Sequence, residues 1–561
     1  MRESGSKAGT LNGLRLLLVL AGAAVCGAGV LQAQSGARLV PIPLPPMGWS
    51  SWNSFSNTVD SQVVMDQAKA MVSTGMAKAG YRYINIDEGW WLGERDAEGN
   101  IVVDAKAWPA LAPGDHAGDM ANIVRYIHGL GLKAGIYTDA GADGCSTVGP
   151  DLGPSYPHTG SEGHYEQDFL QFARWGFDYV KVDWCGGDKE NLDPAIQYAE
   201  VARAISHAEA NTGSRLYYSI CNWGKDSPWT WAPHIGGVSG DIWRTGGDIV
   251  APIVANTKNS GRKATLKDVF REYDAAAHPE SQHTGAYNDP DMMVVGMQGL
   301  TEAENRVHMS LWAMLGGPLI VGADLTKLSK EALAALTNPA VIAVDQDALG
   351  LQAVKVAESG PGLEVWSKQL SIAGNRAVLL LNRSEAAAPI TVSLADLGLA
   401  DSSPAAIHDL WSGKQSGVIN SSYSATVPGG DAVMLLVQGH EGKSATYTAA
   451  EAAKLPGGRR DVTLTKGERL NFMHVASGAR IARIQIAYTN PDKTPRFAEL
   501  RVNGRIATCI AFPPTGSGGH SETAPGAVWI ESLLDRDGSN NELSFAASGD
   551  AGPTIEAISV Q

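Results

Sequence analysis

The amino-acid sequence predicts an α/β fold: a (β/α)8 TIM barrel, then an antiparallel β-sandwich domain, then a second β-sandwich module at the C-terminus. Three observations predict it. The chain has 561 residues, which is too long for one hydrophobic core. Its first part alternates short apolar runs with amphipathic stretches, and its remainder shows alternating strand patterns without long helical periodicity. We place the barrel at 41–350, the antiparallel domain at 351–438 and the C-terminal module at 445–561.

Eight apolar runs of strand length favour a closed barrel. They lie around Met47 and at Tyr83–Ile86, Lys133–Tyr137, Tyr179–Val182, Leu216–Ile220, Ile242–Arg244, Met292–Val295 and Leu319–Val321. Helical patterns fall between them: Asp60 can cap a helix over Ser61–Met76, and apolar residues recur at helical spacing between Asp119 and Leu130. Eight strand–helix units in about 310 residues are typical of a parallel barrel, whose polar residues gather after the strand C-termini.

The rest of the chain reads as β-structure. Within 351–438, Leu363–Trp366 and Ala377–Asn382 have strand character. In the C-terminal module the predicted strands are Arg480–Tyr488, Phe497–Val502, Ala527–Ile530 and Asn541–Phe545, separated by Gly, Pro and Asn turns. The length of this last segment suits a β-sandwich.

Composition and charge restrict the partners. The chain is 44% apolar and 18% charged, as in ordinary globular proteins. Its formal net charge of -15 argues against nucleic acid and favours neutral partners. Residues 1–34 combine basic residues with a short apolar stretch, Leu16–Leu31, and small residues around Ala33. This pattern predicts a secretory signal peptide, so we expect a secreted protein, extracellular or periplasmic, with no membrane span after cleavage.

Two carboxylates follow strand-type runs. Asp183 ends the run Tyr179–Val182, and Asp248 follows Arg244 by four residues. Two carboxylates on the ends of different strands are what a retaining glycosidase needs, one as nucleophile and one as proton donor. Lys181 lies two residues before Asp183 and therefore on the same face of the strand, where its charge would keep that carboxylate ionised.

The motifs resemble those of glycoside hydrolase family 27, the α-galactosidase and melibiase family, over about residues 41–438. They are Pro46–Asn53, Lys181–Cys185, Trp243–Asp248, Asn288–Met292 and Val344–Gly350, in that order. The resemblance implies a retaining, exo-acting hydrolase of carbohydrates that end in a galactose-configured sugar, with Asp183 as nucleophile and Asp248 as acid/base. It places the substrate-binding residues at Trp52, Asp87, Glu88, Tyr137, Lys181, Asn222 and Arg244. It also implies a disulfide between Cys145 and Cys185, while Cys221 and Cys509 look unpaired.

Two residues depart from the family pattern. Glu88 stands where the family usually has the second of two aspartates, and Asn222 stands where it often has Glu. The extra methylene of Glu88 would push a carboxylate toward the exocyclic CH2OH of galactose, a group that a β-L-arabinopyranoside lacks. The alternatives are therefore a β-L-arabinopyranosidase, an isomaltose-releasing glucan hydrolase and a non-catalytic secreted lectin.

The C-terminal module resembles a family 35 carbohydrate-binding module. The likeness rests on Tyr447–Ala453, Ile486–Tyr488, Leu500–Gly504 and Ile555–Val560. Such modules often hold a structural calcium through a Glu-x-Glu pattern, which Ala449 and Glu451 match only in part. Trp529 is a sugar platform or a core residue. No nucleotide-binding glycine fingerprint and no cluster with metal-ligand spacing is evident, so we expect no cofactor and no catalytic metal.

Overall fold

The computed structural model describes residues 43–145, 158–233, 240–250, 263–453, 461–477, 481–515, 526–534 and 539–561. The predicted signal peptide, 1–34, lies outside the described residues. Among the described helices, none has the length and apolarity needed to cross a membrane.

Eight parallel strands form the barrel. They are β1 (Met47–Ser50), β2 (Tyr83–Asn85), β5 (Lys133–Asp139), β6 (Tyr179–Asp183), β7 (Tyr217–Ile220), β8 (Ile242–Arg244), β9 (Tyr287–Asp289) and β10 (Leu319–Val321), with a side hairpin of β3 (Trp91–Arg95) and β4 (Ile101–Val103) after β2. Their order is β10-β1-β2-β5-β6-β7-β8-β9, and every pair is parallel. A bridge between Met293 and Val321 links the two ends of the sheet. This arrangement confirms the predicted fold class.

The seventh barrel strand differs from the prediction. The apolar run Met292–Val295 was expected to form it, but β9 is Tyr287–Asp289. Asp291 has a φ of 78°, in the left-handed region, which ends the extended strand before the apolar run begins. Met292–Val295 is nevertheless buried, so its apolarity indicates packing in the core rather than strand structure.

Helices alternate with the barrel strands. They are α1 (Trp52–Phe55), α2 (Ser61–Ser73), α3 (Met76–Ala79), α4 (Ala121–Gly129), α5 (Tyr165–Trp175), α6 (Cys185–Lys189), α7 (Pro194–Thr212), α8 (Leu266–Ala275), α9 (Glu302–Leu315), α10 (Lys330–Leu336) and α11 (Pro339–Asp345), with single 3-10 turns at Ser56–Thr58, Pro228–Thr230 and Leu325–Lys327. Asp60 caps α2 by accepting a hydrogen bond from the backbone N–H of Val63. That helix ends three residues before the predicted limit, at Ser73.

Two β-rich parts follow the barrel. The first contains a six-stranded antiparallel sheet of β11 (Val354–Glu358), β12 (Leu363–Gln369), β13 (Asn375–Asn382), β15 (Ala405–Asp409), β16 (Gln415–Ile419) and β18 (Asp431–Gln438), with a second sheet of β14 (Ala388–Ser393) and β17 (Ser422–Val427). Val378 and Leu380 of the first sheet pack with Ile390 and Val392 of the second, which makes a sandwich core.

The C-terminal module is a second sandwich. One sheet contains β19 (Ala445–Thr448), β20 (Val462–Thr465), β22 (Ile481–Thr489), β25 (Gly526–Leu533) and β27 (Ala551–Val560); the other contains β21 (Arg469–Val475), β23 (Arg496–Val502), β24 (Arg505–Phe512) and β26 (Asn541–Ala547), and a short helix, α12 (Ala449–Ala452), follows β19. Ile484 and Ile486 from the first sheet pack with Leu500 and Phe545 from the second. Trp529 is only partly buried and is not part of this core.

Buried charged residues join the C-terminal module to the preceding domain. Arg483 donates a hydrogen bond of 3.2 Å to the backbone oxygen of Ser367 and forms a 3.2 Å ion pair with Glu531. Burial raises the pKa of Glu531 to about 7, although the charge of Arg483 opposes this shift. Ionised Glu531 is therefore held in the interface against a desolvation cost.

We predict that Glu531→Gln makes thermal stability less dependent on pH. The folded-state pKa of Glu531, about 7, lies above its ordinary value of 4.5. Protonated Glu531 therefore stabilises the folded protein fully below pH 4.5, and this stabilisation is lost as the pH rises through about 7. Glutamine keeps an acceptor for Arg483 without the buried charge. The melting temperature of the variant should exceed that of the wild type at pH 8 and match it at pH 4. A variant less stable than wild type at pH 8 would show that the ion pair dominates.

Candidate active site

One partly buried ammonium, that of Lys181, contacts two carboxylates at the mouth of the barrel. The Lys181 Nζ lies 3.0 Å from Asp87 Oδ2 and 3.7 Å from Asp183 Oδ2. It also lies 5.2 Å from the centre of the Tyr137 ring. Asp87, Tyr137 and Asp183 are all buried. Since β2, β5 and β6 are neighbours in the sheet, their C-terminal ends bring these side chains together as the barrel fold predicts.

Charge and burial oppose each other in this cluster. Burial raises the pKa of Asp183, the Lys181 ammonium lowers it, and the charges of Asp87 and Asp248 raise it again. Burial alone would lower the pKa of Lys181, but the negative charges around it, with Asp87 foremost, raise it well above its usual value. Lys181 therefore stays charged and favours the ionised form of Asp183, as predicted from their spacing.

A second cation, the buried Arg244, holds the other side of the mouth. Its Nη1 lies 2.9 Å from Asp291 Oδ1, and its Nη2 lies 3.2 Å from Asp248 Oδ1. Asp291 Oδ2 also accepts a 2.7 Å hydrogen bond from the backbone N–H of Ile249. Asp291 thus fixes both the guanidinium that contacts Asp248 and the residue that follows Asp248.

The two predicted catalytic carboxylates have different environments. Asp183 is 5% exposed at the end of β6, whereas the side chain of Asp248 is 45% exposed in the loop after β8. Only β7 separates these two strands, and the charge of Asp248 contributes to the raised pKa of Asp183. The carboxylates therefore lie within electrostatic reach of each other, one inside the mouth and one at its solvent side.

The predicted aromatic residues lie deep in the wall. Tyr137 stacks on Trp91, with ring centroids 5.5 Å apart and planes at 17°. Its hydroxyl donates to Cys145 Sγ at 3.5 Å. Trp52 packs with Met292 and Ile320. Trp91 was not predicted from the sequence as part of this wall, although its position shortly after Asp87 and Glu88 pointed to that role.

The two departures from the family pattern are both buried. The Glu88 carboxyl is buried and occupies the space that a Cβ at Gly144 would need, so a larger residue at position 144 would displace this acid. Asn222 donates a 2.7 Å hydrogen bond from Nδ2 to the backbone oxygen of Lys225. Its Oδ1 is buried and has no hydrogen-bond partner within the described residues, which leaves an acceptor for a ligand.

A small cavity of about 30 Å³ lies inside the mouth. Asp87, Lys181 and Arg244 line it, whereas Asp183 and Asp248 border it through their contacts with these two cations. Asp289 and Asp291 also line it. Burial raises the pKa of both carboxyls against the opposing charge of Arg244.

The disulfide Cys145–Cys185 is formed, with Cα atoms 5.0 Å apart. Cys221 and Cys509 are free and buried. The disulfide sulfurs lie beside the carboxylates of Asp139 and Asp183 in a cluster that could be mistaken for a metal site. Both sulfurs are already bonded to each other, and Asp139 accepts backbone hydrogen bonds from Gly141 and Cys185, so this cluster does not fit a metal.

The resemblance to family 35 suggested a structural calcium ion near Ala449 and Glu451. These two residues do not fit a calcium site. Ala449 has no ligand atom in its side chain, and the Glu451 carboxylate accepts a 2.7 Å hydrogen bond from the Thr448 hydroxyl in the cap of α12. Glu451 therefore acts as part of a capping box.

A TIM-type barrel with one carboxylate at a strand end and another in the loop after a strand, each contacted by a cation, is the arrangement of a glycoside hydrolase. Three family models match the chain: "Alpha galactosidase A" over residues 44–347, "Alpha galactosidase C-terminal beta sandwich domain" over 360–437 and "Alpha-galactosidase, CBM13 domain" over 470–560. The chain belongs to the α-galactosidase family, glycoside hydrolase family 27. The third match names a family 13 domain where the sequence resembled family 35, and both descriptions are of carbohydrate-binding modules.

Curated relatives and solved structures agree with this assignment. The α-galactosidase of Oryza sativa subsp. japonica is 39% identical over 367 residues, which cover 65% of this chain and 78% of that protein. α-Galactosidase A of Cellvibrio japonicus is 41% identical over 341 residues, 61% of this chain and 76% of that protein. The crystal structure of α-galactosidase I from Mortierella vinacea matches with a TM-score of 0.60 and 29% identity, over 71% of this chain and 98% of that one.

We predict that Lys181→Met moves the acid limb of the kcat/KM profile to higher pH. Without the ammonium, burial and the charge of Asp87 raise the pKa of Asp183 further, so the ionised carboxylate is lost at a higher pH, by about one unit or more. The pH profile separates this effect from loss of substrate contacts. Lys466→Met, at an exposed lysine of the C-terminal module, is the control. An unmoved acid limb would contradict the role given to Lys181.

Asp291→Asn tests whether this residue positions the loop of Asp248. The variant removes the charge that pairs with Arg244 but keeps an acceptor for Ile249. We expect kcat to fall about 10- to 100-fold with little change in KM, because small misplacement of a reacting group is costly. Asp274→Asn, at an exposed ion pair with Arg383, should leave both constants unchanged. A raised KM at unchanged kcat would instead indicate that Asp291 binds substrate.

Proposed function

We propose that this protein is a retaining, exo-acting α-galactosidase that releases terminal α-D-galactosyl residues from oligosaccharides or polysaccharides. The observation that carries the proposal is the partly buried Lys181 ammonium shared between Asp87 and Asp183 at the mouth of a family 27 barrel. The relatives from Oryza and Cellvibrio are named α-galactosidases, and a Saccharomyces cerevisiae α-galactosidase of 25% identity was solved with raffinose.

The reaction takes two steps. Asp183 attacks the anomeric carbon while Asp248 gives its proton to the departing glycosidic oxygen, which leaves a covalent glycosyl ester on Asp183. Asp248 then takes a proton from water, and that water displaces Asp183 from the anomeric carbon. Each displacement inverts the configuration, so the product retains that of the substrate. Lys181 keeps Asp183 ionised for the first attack.

Sugar recognition uses the buried polar groups of the mouth. Asp87 and Glu88 accept hydrogen bonds from sugar hydroxyls. The Oδ1 of Asn222, which has no hydrogen-bond partner among the described residues, accepts another. Tyr137 and Trp52 supply an aromatic wall against the apolar face of the sugar.

The division into a barrel at 41–350, a β-domain at 351–438 and a module at 445–561 is part of the proposal. The barrel carries the chemistry, and the C-terminal module binds carbohydrate. Secretion, directed by residues 1–34, also belongs to the proposal and rests on the sequence pattern of that segment.

The second candidate function is that of a β-L-arabinopyranosidase, and Glu88 is the residue that favours it. This acid is buried beside Asp87 and is one methylene longer than aspartate, which reduces the room for an exocyclic CH2OH. A β-L-arabinopyranosidase from Geobacillus stearothermophilus matches the chain at 21% identity with a TM-score of 0.59, a likeness that extends to the fold alone.

Two aryl glycosides decide between the candidates. We expect nitrophenyl α-D-galactopyranoside to be cleaved faster than nitrophenyl β-L-arabinopyranoside, with retained configuration in the product NMR spectrum. Glu88→Asp should raise the galactoside-to-arabinoside ratio of kcat/KM by about tenfold, in the range of one methylene, whereas Glu94→Asp in the exposed part of β3 should not. A large excess for the pentoside in the wild type would overturn the first candidate.

Asp183→Ala tests the lectin alternative. A hydrolase should lose turnover by several orders of magnitude and still bind sugar, whereas a lectin shows no turnover before the change. Cleavage of an isomaltose-containing glucan in preference to galactosides would favour the glucan hydrolase instead.

A further inference from the structure

A cleft of about 560 Å³ lies between the barrel and the C-terminal module. One wall comes from the barrel, with Trp229, Thr230 and Glu280. The other wall comes from β24 and β25, which are edge strands of the two sheets of the module. The cleft shares no lining residue with the cavity in the barrel mouth.

Trp229 gives the cleft a fixed aromatic surface. Its ring stacks on the imidazole of His278, with centroids 3.8 Å apart and planes at 13°. His278 is in turn 3.5 Å from the Glu280 carboxylate. An indole held in this way loses little conformational freedom when a ligand packs on it, and a flat apolar ring suits the apolar face of a sugar.

Polar groups of both signs line the same cleft. Glu280 offers a carboxylate, and Arg505 offers an exposed guanidinium with no ion pair among the described residues. Ser532 is 1% exposed, and its hydroxyl has no hydrogen-bond partner in the described part of the chain. A buried hydroxyl without a partner costs free energy, so a polyhydroxylated ligand that reached it would recover that cost.

Exposed apolar side chains complete the rim. Ile506 is 45% exposed and Leu533 is 42% exposed, and both line the cleft. An aromatic plane and an apolar rim beside a carboxylate and a guanidinium match the alternating apolar and hydroxylated faces of a neutral sugar chain. The residues of β24 and β25 also fall inside the segment that matches the α-galactosidase CBM13 domain model.

We propose that this cleft binds a neutral polysaccharide chain at a site separate from the barrel mouth. The barrel therefore supplies part of the binding surface that the module alone would lack. Such a site would hold a polymeric substrate near the enzyme while chain ends enter the mouth, and a small glycoside would gain nothing from it.

Native affinity electrophoresis in galactomannan tests the cleft directly. The full chain carries Asp183→Asn so that the polymer is not cut, and excess galactose occupies the barrel mouth. We expect the parent to be retarded and Trp229→Ala to bind at least about tenfold more weakly, as is usual when a central aromatic anchor is removed. Trp529→Ala, at a partly buried tryptophan outside the cleft, should bind like the parent.

A second pair of variants tests the cleft independently, in case Trp229→Ala does not fold. Ile506→Glu, at an exposed position of the cleft, should also weaken retardation, whereas Val418→Glu, exposed in the preceding domain, should not. With Asp183 restored, Trp229→Ala should keep wild-type kcat/KM on an aryl galactoside. The proposal is overturned if the parent is not retarded, if Trp229→Ala and Ile506→Glu bind like the parent, or if Trp529→Ala alone loses binding. Retardation does not depend on turnover, so failure of the proposed hydrolase activity would be seen separately.

Discussion

The site depends on two cations, the partly buried Lys181 and the buried Arg244, placed among several buried carboxylates. Asp87, Asp183, Asp289 and Asp291 are all nearly inaccessible to solvent, and burial raises the pKa of Asp183, Asp289 and Asp291. Lys181 and Arg244 supply the compensating charge, one beside Asp87 and Asp183 and the other beside Asp291 and Asp248. Removing either cation would leave uncompensated charge in the barrel mouth.

The barrel explains why these groups meet. Its strands are parallel, so the residues at their C-terminal ends converge although the chain separates Asp87 from Asp291 by about two hundred positions. The structure also divides the mouth into two sides. Lys181 pairs with the buried carboxylate of Asp183, and Arg244 pairs with the solvent-facing carboxylate of Asp248. This division suits a nucleophile that must stay ionised and an acid/base that must exchange protons with water.

The correct predictions concern features that depend on residues close together in the chain. The apolar runs that became β6 and β10, the Asp60 cap and the pairing of Lys181 with Asp183 all depend on residues close in sequence. The prediction of the seventh strand was wrong because β9 is made of Tyr287, Asn288 and Asp289, a polar sequence without a strand signal. The contact of Asp291 with Arg244 and the cleft between Trp229 and Ser532 were not predictable, because each joins residues that only the tertiary fold brings together.

The most direct test of the account is to identify the residue that becomes covalently linked to the sugar. Incubation with a 2-deoxy-2-fluoro-α-galactosyl fluoride slows hydrolysis of the glycosyl ester, and mass spectrometry of the digested protein then locates the label. The account predicts one fluorosugar on the peptide that contains Asp183, and none after Asp183→Asn. A label on Asp248 or on any other carboxylate would contradict the assignment on which the mechanism rests.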